Sequence, residues 1–431
     1  MLTLRMLLKW LTPGIGVKRW LLLAASGVFL IALSFAFGIL KVLALTPLQA
    51  QARMSSWGIV AAALLIGSII AAFALLKLSR NVLAPYRRNE PRRVIDVVYE
   101  HSKRQKGVRL VAIGGGTGLP SVLRGMKKHT SNLSAIVTVA DDGGSSGRLR
   151  RDMGVQPPGD LRNNIAALAD DESLMTQLFQ YRFNSGELRG HAFGNLFIAA
   201  LAGIRGGLEP ALAEVQRVLN IQGRVLPSTL DDVNLVATIR QNNKGRVRIL
   251  GESKITEAGG QIEEIGLVPS DVLAYEESVR AIKEANIVIL GPGSLYTSII
   301  PNLLVPGIAD ALRTTSAYKL YICNIATQPG ETEGYSVADH VMALERYLGK
   351  GVLHTILANN ATPTLNAGVN TTYVDLAPPG HEITQRYQVC YVDLTDPDQP
   401  WRHDPQKLAQ AILSLYDAER SGDSPILQIT V

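Results

Sequence analysis

The sequence predicts an α/β fold: a doubly wound, mostly parallel sheet with helices on both faces and a small β insertion, plus two N-terminal transmembrane helices. Three observations support this fold class. Two long uncharged segments occupy the N-terminal region, apolar β-branched runs then alternate with helical patterns, and glycine-rich turns follow several of these runs. The predicted organisation is a two-helix anchor over residues 1–78, a basic linker over 79–106 and an α/β domain over 107–431.

The two uncharged segments are long enough to cross a membrane. Trp20 to Leu40 contains 21 residues without a charge, and Trp57 to Leu76 contains 20. A cleavable signal peptide would explain only the first segment, and helices buried in a soluble core rarely remain uncharged all round. We therefore expect two membrane-spanning helices.

Basic residues predict how the hairpin formed by these two helices is oriented in the membrane. Only Lys41 and Arg53 lie between the two spans, whereas ten lysines and arginines flank them within the first 93 residues. The positive-inside rule then predicts a multi-pass protein of the cell inner membrane, with both termini and the large domain in the cytoplasm. Residues 1–93 carry +11 and the remainder −5, so the overall +6 suits anionic lipid and does not indicate nucleic-acid binding. The two cysteines, Cys323 and Cys390, fit a reduced protein without zinc.

Beyond the linker, strand and helix patterns alternate. Five runs predict strands: Val108–Ile113, Ala135–Ala140, Asn286–Leu290, Tyr318–Ile325 and Val352–Ala358. Six patterns predict helices: Leu161–Ala169, Leu174–Tyr181, Asn195–Ala202, Ala211–Leu219, Ser336–Leu348 and Pro405–Asp417. Residues 233–268 interrupt this rhythm, and there Val247–Leu250 and Gln261–Ile265 predict short antiparallel strands.

The first predicted strand runs into a glycine-rich turn formed by Gly114, Gly115, Gly116, Thr117 and Gly118, and Pro120 then opens a helix. Backbone N–H groups at such a helix start, with no side chains in the way, form an anion site. A dinucleotide fingerprint would need a small residue at Leu119, and the Gly-Lys-Ser/Thr of a P-loop is absent. The turn predicts a phosphate-bearing ligand, with a tight turn that binds nothing as the alternative.

Polar residues follow the other predicted strands at the same sheet edge, where open α/β sheets bind ligands. Asp141 and Asp142 are placed to meet a ribose or a metal ion, although a capping role is the alternative. A second glycine turn, Gly291-Pro-Gly-Ser294, begins another hydroxyl-rich helix start. The candidate ligand-binding residues of these turns and of the segments between them are Asp141, Asp142, Asn163, Asn164, His191, Asn195, Gly291, Gly293, Ser294 and Asn324. His191 and Asn195 also have ordinary structural roles open to them, in hydrogen bonding and helix capping.

Six segments together resemble the YvcK family, also called the gluconeogenesis factor, within the CofD-like superfamily. They are Gly114–Gly118, Ala140–Gly147, Pro158–Asn163, His191–Asn195, Gly291–Ser298 and Asn324–Thr332, and the resemblance runs from about residue 108 to about residue 420. It implies a factor for cell shape and envelope synthesis on gluconeogenic carbon sources that binds UDP-sugars such as UDP-N-acetylglucosamine. Arg313 falls in a region that the family associates with ligand contact and phosphorylation.

Two hypotheses follow. The first is a membrane-tethered nucleotide-sugar sensor without an established reaction, which influences the flux of amino sugars toward peptidoglycan. Its partners would be the nucleotide-sugar, the membrane, an enzyme of cell-wall precursor synthesis and further copies of the chain. The second is a transferase like the CofD enzymes, which cleaves a nucleoside-diphosphate-linked donor with magnesium held by Asp141 and Asp142. A purely structural membrane scaffold would not need so many glycine-rich strand ends.

Overall fold

The computed structural model describes residues 17–43, 57–83, 103–169, 174–241, 245–364 and 372–422. The chain forms two compact units, residues 1–99 and residues 100–431. The predicted linker over 79–106 lies for the most part outside the described residues. Each unit has its own architecture, set by the apolar patterning of its sequence.

The N-terminal unit is a pair of apolar helices, α1 (Val17–Leu43) and α2 (Trp57–Leu83). Both are long and apolar enough to span a membrane, as predicted, and each extends a few residues beyond its uncharged core. The two helices pack closely at Gly27, because a Cβ added to this residue would lie only 2.8 Å from the carbonyl oxygen of Gly67. Ser34 Oγ also donates to the carbonyl oxygen of Val60 at 2.6 Å. Small residues and hydroxyls are the usual means of close helix packing in lipid.

Because the helices touch at Gly27, we expect Gly27→Val to push them apart by about 2 Å or more. Spin labels at Phe29→Cys and Leu65→Cys, both on exposed positions, would report the separation in detergent micelles. Gly38→Val is the matched control, since a Cβ there meets nothing nearer than 4.0 Å. Equal label distances in the two variants would contradict this packing.

The second unit is an α/β domain built on a seven-stranded parallel sheet in the order β10-β9-β8-β7-β1-β2-β3. Its strands are β1 (Leu110–Gly114), β2 (Leu133–Val137), β3 (Arg224–Pro227), β7 (Ile287–Leu290), β8 (Tyr318–Ile322), β9 (Thr355–Asn359) and β10 (Gln388–Val392). A separate antiparallel sheet, in the order β5-β4-β6, contains β4 (Asn234–Gln241), β5 (Gly245–Leu250) and β6 (Gln261–Val268).

Helices connect and cover these strands. In chain order they are α3 (Leu119–Met126), α4 (Gly144–Met153), α5 (Gly159–Leu168), α6 (Leu174–Gln180), α7 (Phe193–Arg205), α8 (Leu208–Val218), α9 (Glu252–Ala258), α10 (Glu276–Glu284), α11 (Ile300–Leu303), α12 (Pro306–Thr314), α13 (Val337–Leu348), α14 (Glu382–Arg386) and α15 (Pro405–Ser421). A π-helical turn, Leu295–Ile299, precedes α11. The central strands are buried along their whole length, as expected for a sheet covered on both faces.

Strand order places a topological switch point between β1 and β7. From β1 the chain proceeds outward to β2 and β3, and it then returns to β7 on the opposite side of β1. Open α/β sheets bind their ligands in the crevice beyond the carboxyl ends of the strands at such a point. The two glycine turns follow β1 and β7, so both lie at this crevice.

The predicted fold class and the five predicted strands are confirmed, with boundaries shifted by a few residues. Two edge strands of the main sheet, β3 and β10, lack a long apolar run and were not predicted. In the insertion, the two predicted strands do not pair with each other: β5 and β6 each pair with β4, which lies between them. In β4, buried residues alternate with partly buried ones, and the buried face belongs to the core of the insertion.

Candidate functional site

Most of the first glycine turn faces protein. A Cβ on Gly115 would lie 2.5 Å from Ser298 Oγ, and one on Gly116 would lie 2.5 Å from Asp160 Oδ1. Asn164 Nδ2 donates to the Gly115 oxygen at 3.0 Å. These glycines are required because neighbouring side chains approach the backbone closely. Their predicted role of cradling a phosphate stays a prediction.

The second glycine turn abuts the first. A Cβ on Gly118 would collide with the carbonyl oxygen of Pro292 and would lie 2.9 Å from the Gly293 nitrogen. Asn324 holds Gly293 from the other side: its Oδ1 accepts from the Gly293 N–H at 3.0 Å, and its Nδ2 donates to the Gly293 oxygen at 2.8 Å. Asn324 is therefore a positioning residue of this turn.

The helix start behind the second turn is already occupied by a carboxylate. The Tyr296 N–H donates to Glu331 Oε2 at 3.1 Å, and Thr297 Oγ1 donates to Glu331 Oε1 at 2.7 Å. Glu331 is 2% exposed, and burial raises its pKa. The predicted second anion site is thus capped by the protein itself.

At the start of α3, the N-cap residue Gly118 has no side chain that could bond to the first N–H groups. Here the two turns open onto a pocket of about 420 Å³, which lies within the usual range for small-molecule sites. Arg124 and Arg402 are exposed cations in its wall, and Trp401 is half-buried there. The lining residues are Thr117, Gly118, Ser121, Arg124, Pro292, Gly293, Ser294, Asn324, Ile325, Ala326, Gln328, Asp396, Gln399, Trp401, Arg402, His403 and Pro405.

His403 belongs to the wall of this pocket as a structural residue. Its Nε2 lies 3.2 Å from the carbonyl oxygen of Cys323, at the end of β8. Burial lowers the pKa of His403 to about 4, so the ring is neutral and its Nε2–H donates to that carbonyl. This bond ties the loop that carries Trp401 and Arg402 to the sheet.

An acidic group lies on the β2 side of the first turn. Asp141 Oδ1 accepts from the Gly143 N–H at 2.9 Å, and Asp142 Oδ1 accepts from the Ser253 N–H at 2.9 Å. Burial, aided by Asp141, raises the pKa of Asp160 to about 7 and that of Glu252 to about 8. Among the described residues no three His, Cys, Asp or Glu side chains converge as a metal site, so we assign none to the protein alone.

The Gly-Ser segment after Asp142 begins the helix α4. Its hydroxyls join other helix starts: Ser145 Oγ lies 3.1 Å from His191 Nδ1, and Ser146 Oγ accepts from the Gly159 N–H at 3.1 Å. Burial, and secondarily Arg148, lower the pKa of His191. Asn195, in the first turn of α7, is 2% exposed.

The predicted residues therefore divide into three groups. Thr117, Gly118, Gly293, Ser294 and Asn324 line the pocket, and Gly291 precedes it. Asp141, Asp142, Asn163, Asn164, His191 and Asn195 lie on the β2 side, around Gly115 and Gly116. Arg313 lies at the opposite edge of the sheet, just before β8 begins, where it donates to the carbonyl oxygens of Tyr347 and Leu348 at 2.9 Å.

Sequence reasoning missed Arg124, Trp401, Arg402, Glu252 and Glu331. Glu331 lies within the segment Asn324–Thr332 that carries the family resemblance, but it was not singled out there. No local pattern marks the other four, and three of them come from loops or insertions far along the chain from the first turn. Trp401 and Arg402 follow β10, a strand that the sequence did not predict, so their position at this edge of the sheet could not be expected. Arg124 lies in the last turn of α3.

The fold and this pocket define a doubly wound α/β protein of the kind that binds a nucleotide-type ligand at its switch point. The family model described as "2-phospho-L-lactate transferase CofD" matches residues 110–414, and the chain belongs to this CofD family. The resemblance seen in the sequence is thereby confirmed.

Relatives extend the match. A gluconeogenesis factor homologue from Nostoc is 42% identical over 434 residues, which cover 96% of this chain and 93% of that protein, so the alignment includes the hairpin. The "gluconeogenesis factor" of Bacillus subtilis is 49% identical over 253 residues, covering 58% of this chain and 78% of that protein. A solved UPF0052-family structure from Bacillus halodurans is 40% identical, with a TM-score of 0.66, and covers 70% of this chain and 99% of its own.

Proposed function

We propose that this protein is a membrane-tethered regulator that binds a nucleotide-sugar of the UDP-N-acetylglucosamine type. One observation carries the proposal: the uncapped start of α3 opens into a pocket with two arginines and a tryptophan. A diphosphate binds well to the N–H groups at a helix N-terminus, where the helix dipole favours negative charge, and to guanidinium groups. An aromatic face offers stacking to a base.

The pocket suggests how such a ligand lies. The diphosphate sits against Thr117, Gly118 and Ser121, where it accepts from backbone N–H groups and a hydroxyl. Trp401 and the side chains of Gln399 and Asp396 provide a stacking face and polar partners for the base. The Gln328 amide, whose Nε2 also donates to Glu331 Oε1 at 2.8 Å, lies in the pocket wall and offers its oxygen to a sugar hydroxyl. Both amide atoms of Asn324 bind Gly293.

Membrane attachment fits a role in envelope synthesis. With both termini cytoplasmic, the hairpin keeps the domain beside the inner leaflet, where lipid-linked wall precursors are made. Bound nucleotide-sugar would then report the supply of amino sugars during gluconeogenic growth to an enzyme of precursor synthesis. In this reading the protein controls cell shape without carrying out a reaction of its own.

Titration calorimetry of the full-length protein in detergent with UDP-N-acetylglucosamine tests the proposal. We expect Arg124→Gln to weaken binding about tenfold, because it removes a charge-assisted hydrogen bond worth roughly 1.5 kcal/mol. The control is Arg109→Gln, an exposed arginine at the start of β1, at the opposite sheet edge. Absence of binding by the unaltered protein, or equal loss in both variants, would refute the proposed site.

A CofD-type transferase is the second candidate. The raised pKa values of Asp160 and Glu252 favour it, since buried carboxyl groups of this kind are frequent general acids and bases. Release of a nucleoside monophosphate from a nucleoside-diphosphate-linked donor in the presence of magnesium would support this function. Loss of that release in Asp142→Asn would implicate the acidic group.

A further inference from the structure

The antiparallel sheet of the insertion has one covered edge and one open edge. On the covered edge, the Ile265 N–H of β6 donates to the hydroxyl of Tyr347 in α13 at 3.1 Å. The open edge is β5, which pairs with β4 and with no other described strand. Arg246 and Arg248 are exposed in β5, and Leu250 is 54% exposed. An uncovered edge strand of this kind offers its backbone to another extended chain.

The free backbone groups of this edge belong to alternate residues. The Gly251 N–H, just after β5, donates to the Leu235 carbonyl oxygen at the start of β4 at 2.8 Å. Because inward and outward hydrogen-bonding residues alternate along an antiparallel strand, the N–H and C=O groups of Arg246, Arg248 and Leu250 point away from β4. No described residue bonds to these outward groups. An added strand would therefore meet a row of donors and acceptors along β5.

The sheet face beside the open edge carries an excess of positive charge. Arg246 lies opposite Arg240, and Arg248 lies two residues farther along β5, so the three arginines share one face. Glu263 forms ion pairs with Arg240 and Arg246. Arg248 forms no ion pair with any described residue, because Glu264, on the same face, lies two strands away, roughly 10 Å across the sheet.

A second copy of β5 does not suit this edge. Opposite residues of an antiparallel pair share a face, and the registers that overlap most of β5 centre on Val247 or Arg248. The first register sets Arg246 opposite Arg248, and the second sets Arg248 opposite its own counterpart. Like charges directly opposite each other destabilise a sheet, whereas carboxylates opposite these arginines would stabilise it.

The open edge is joined directly to the acidic group of the candidate site. A Cβ on Gly251 would collide with Asp142 Oδ2, and the Ser253 N–H donates to Asp142 Oδ1 at 2.9 Å. Farther along α9, the Thr256 carbonyl oxygen lies so close to Gly330 that a Cβ there would collide with it. Because β5 runs into α9 without a break other than Gly251, one segment connects the edge to the site.

We propose that the open edge of β5 docks an extended segment of a partner protein, with acidic side chains at alternate positions facing Arg246 and Arg248. The backbone of that segment adds a fourth strand to the sheet, and its carboxylates pair with the arginines of the exposed face. Through α9, the docked segment lies next to the site that senses the ligand. This last consequence rests on the proposed function, whereas strand addition itself does not.

Fluorescence anisotropy with the full-length protein in detergent tests the docking surface. The probe is a labelled peptide that alternates glutamate with valine, and the matched peptide alternates lysine with valine. We expect the glutamate peptide to bind at least tenfold more tightly at low ionic strength. Leu250→Pro should weaken it at least tenfold, because proline removes an outward N–H without a bond to β4 being lost. Leu250→Thr keeps that N–H and is the control, with an expected change below threefold.

Arg248→Glu provides a second variant in case Leu250→Pro does not fold, because it alters an exposed side chain and leaves the backbone groups in place. It should weaken the glutamate peptide at least tenfold and strengthen the lysine peptide. Absence of binding by the unaltered protein, equal affinity for the two peptides, or unchanged affinity in both variants would overturn the proposal. So would a dimer, seen by sedimentation, that Leu250→Pro dissociates, since a second copy would then occupy the edge.

The outcome also separates this proposal from the proposed function. If UDP-N-acetylglucosamine does not bind but the glutamate peptide still binds through β5, the proposed function fails while the docking surface stands.

Discussion

Gly118→Ala is expected to reduce the affinity for a UDP-sugar at least tenfold, equivalent to about 1.4 kcal/mol or more. The backbone at Gly118 is in the ordinary helical region, so alanine meets no conformational strain there. Its methyl group instead collides with the Pro292 carbonyl and forces the two glycine turns apart. That movement displaces the helix start that we propose as the diphosphate site, and it costs roughly 1–3 kcal/mol of stability.

Gly114→Ala is the matched control for this substitution. A Cβ on Gly114 would make an ordinary contact, 3.5 Å from Leu119 Cδ1, within the same turn. Titration calorimetry measures the affinity, and urea unfolding of each variant separates lost binding from lost folding. Unchanged affinity in Gly118→Ala would show that the junction of the two turns does not bind the ligand.

Asp160→Asn is expected to remove part of a pH dependence in the stability of the ligand-free protein. The folded protein keeps the Asp160 proton up to about pH 7, whereas the unfolded carboxyl group loses it near its ordinary pKa of 3.8. The folded state therefore binds more protons across this window, and stability falls as the pH rises from about 4 through 7. A shift of this size corresponds to roughly 4 kcal/mol.

Urea unfolding at pH 5 and pH 8 measures the effect. The unaltered protein should lose stability between these values, with Glu252 extending the loss toward pH 8. Asp160→Asn should lose roughly 3 kcal/mol less between these values than the unaltered protein, because the loss caused by Glu252 remains. Asp310→Asn is the control, because Asp310 is an exposed carboxylate paired with Arg313 on α12. An Asp160→Asn variant with the slope of the unaltered protein would mean that this carboxyl group titrates normally.

The two anchor helices and the central strands could be predicted from the sequence, because local patterns mark them. Two uncharged segments of membrane-spanning length are a local property, and so is an apolar β-branched run that ends in glycine, such as Val108–Ile113 before Gly114. Short edge strands were not accessible in the same way. Arg224–Pro227 becomes β3 because β2 offers it hydrogen-bonding partners, and nothing within its four residues indicates this.

The candidate site was predicted only in outline. The sequence located the turns at Gly114–Gly118 and Gly291–Ser294, since glycine before a helix start is a local signal. It did not show that Asp160 packs against Gly116, or that Glu331 caps the helix start after Ser294. Both carboxylates come from elsewhere in the chain, so their contacts depend on how the strands are ordered.

The sequence by itself determined the class of this protein, since the apolar anchor, the alternation of strands and helices and the family motifs are all patterns along the chain. Only the tertiary structure decided which helix start remains open to a ligand. Glu331 closes the helix start after Ser294, and Ser146 Oγ accepts from the first N–H group of α5. Arg124, Trp401 and Arg402 line the pocket at the start of α3. The physical reason is that charge compensation depends on distance in space, and neighbouring strand order brings distant residues to within a few ångströms.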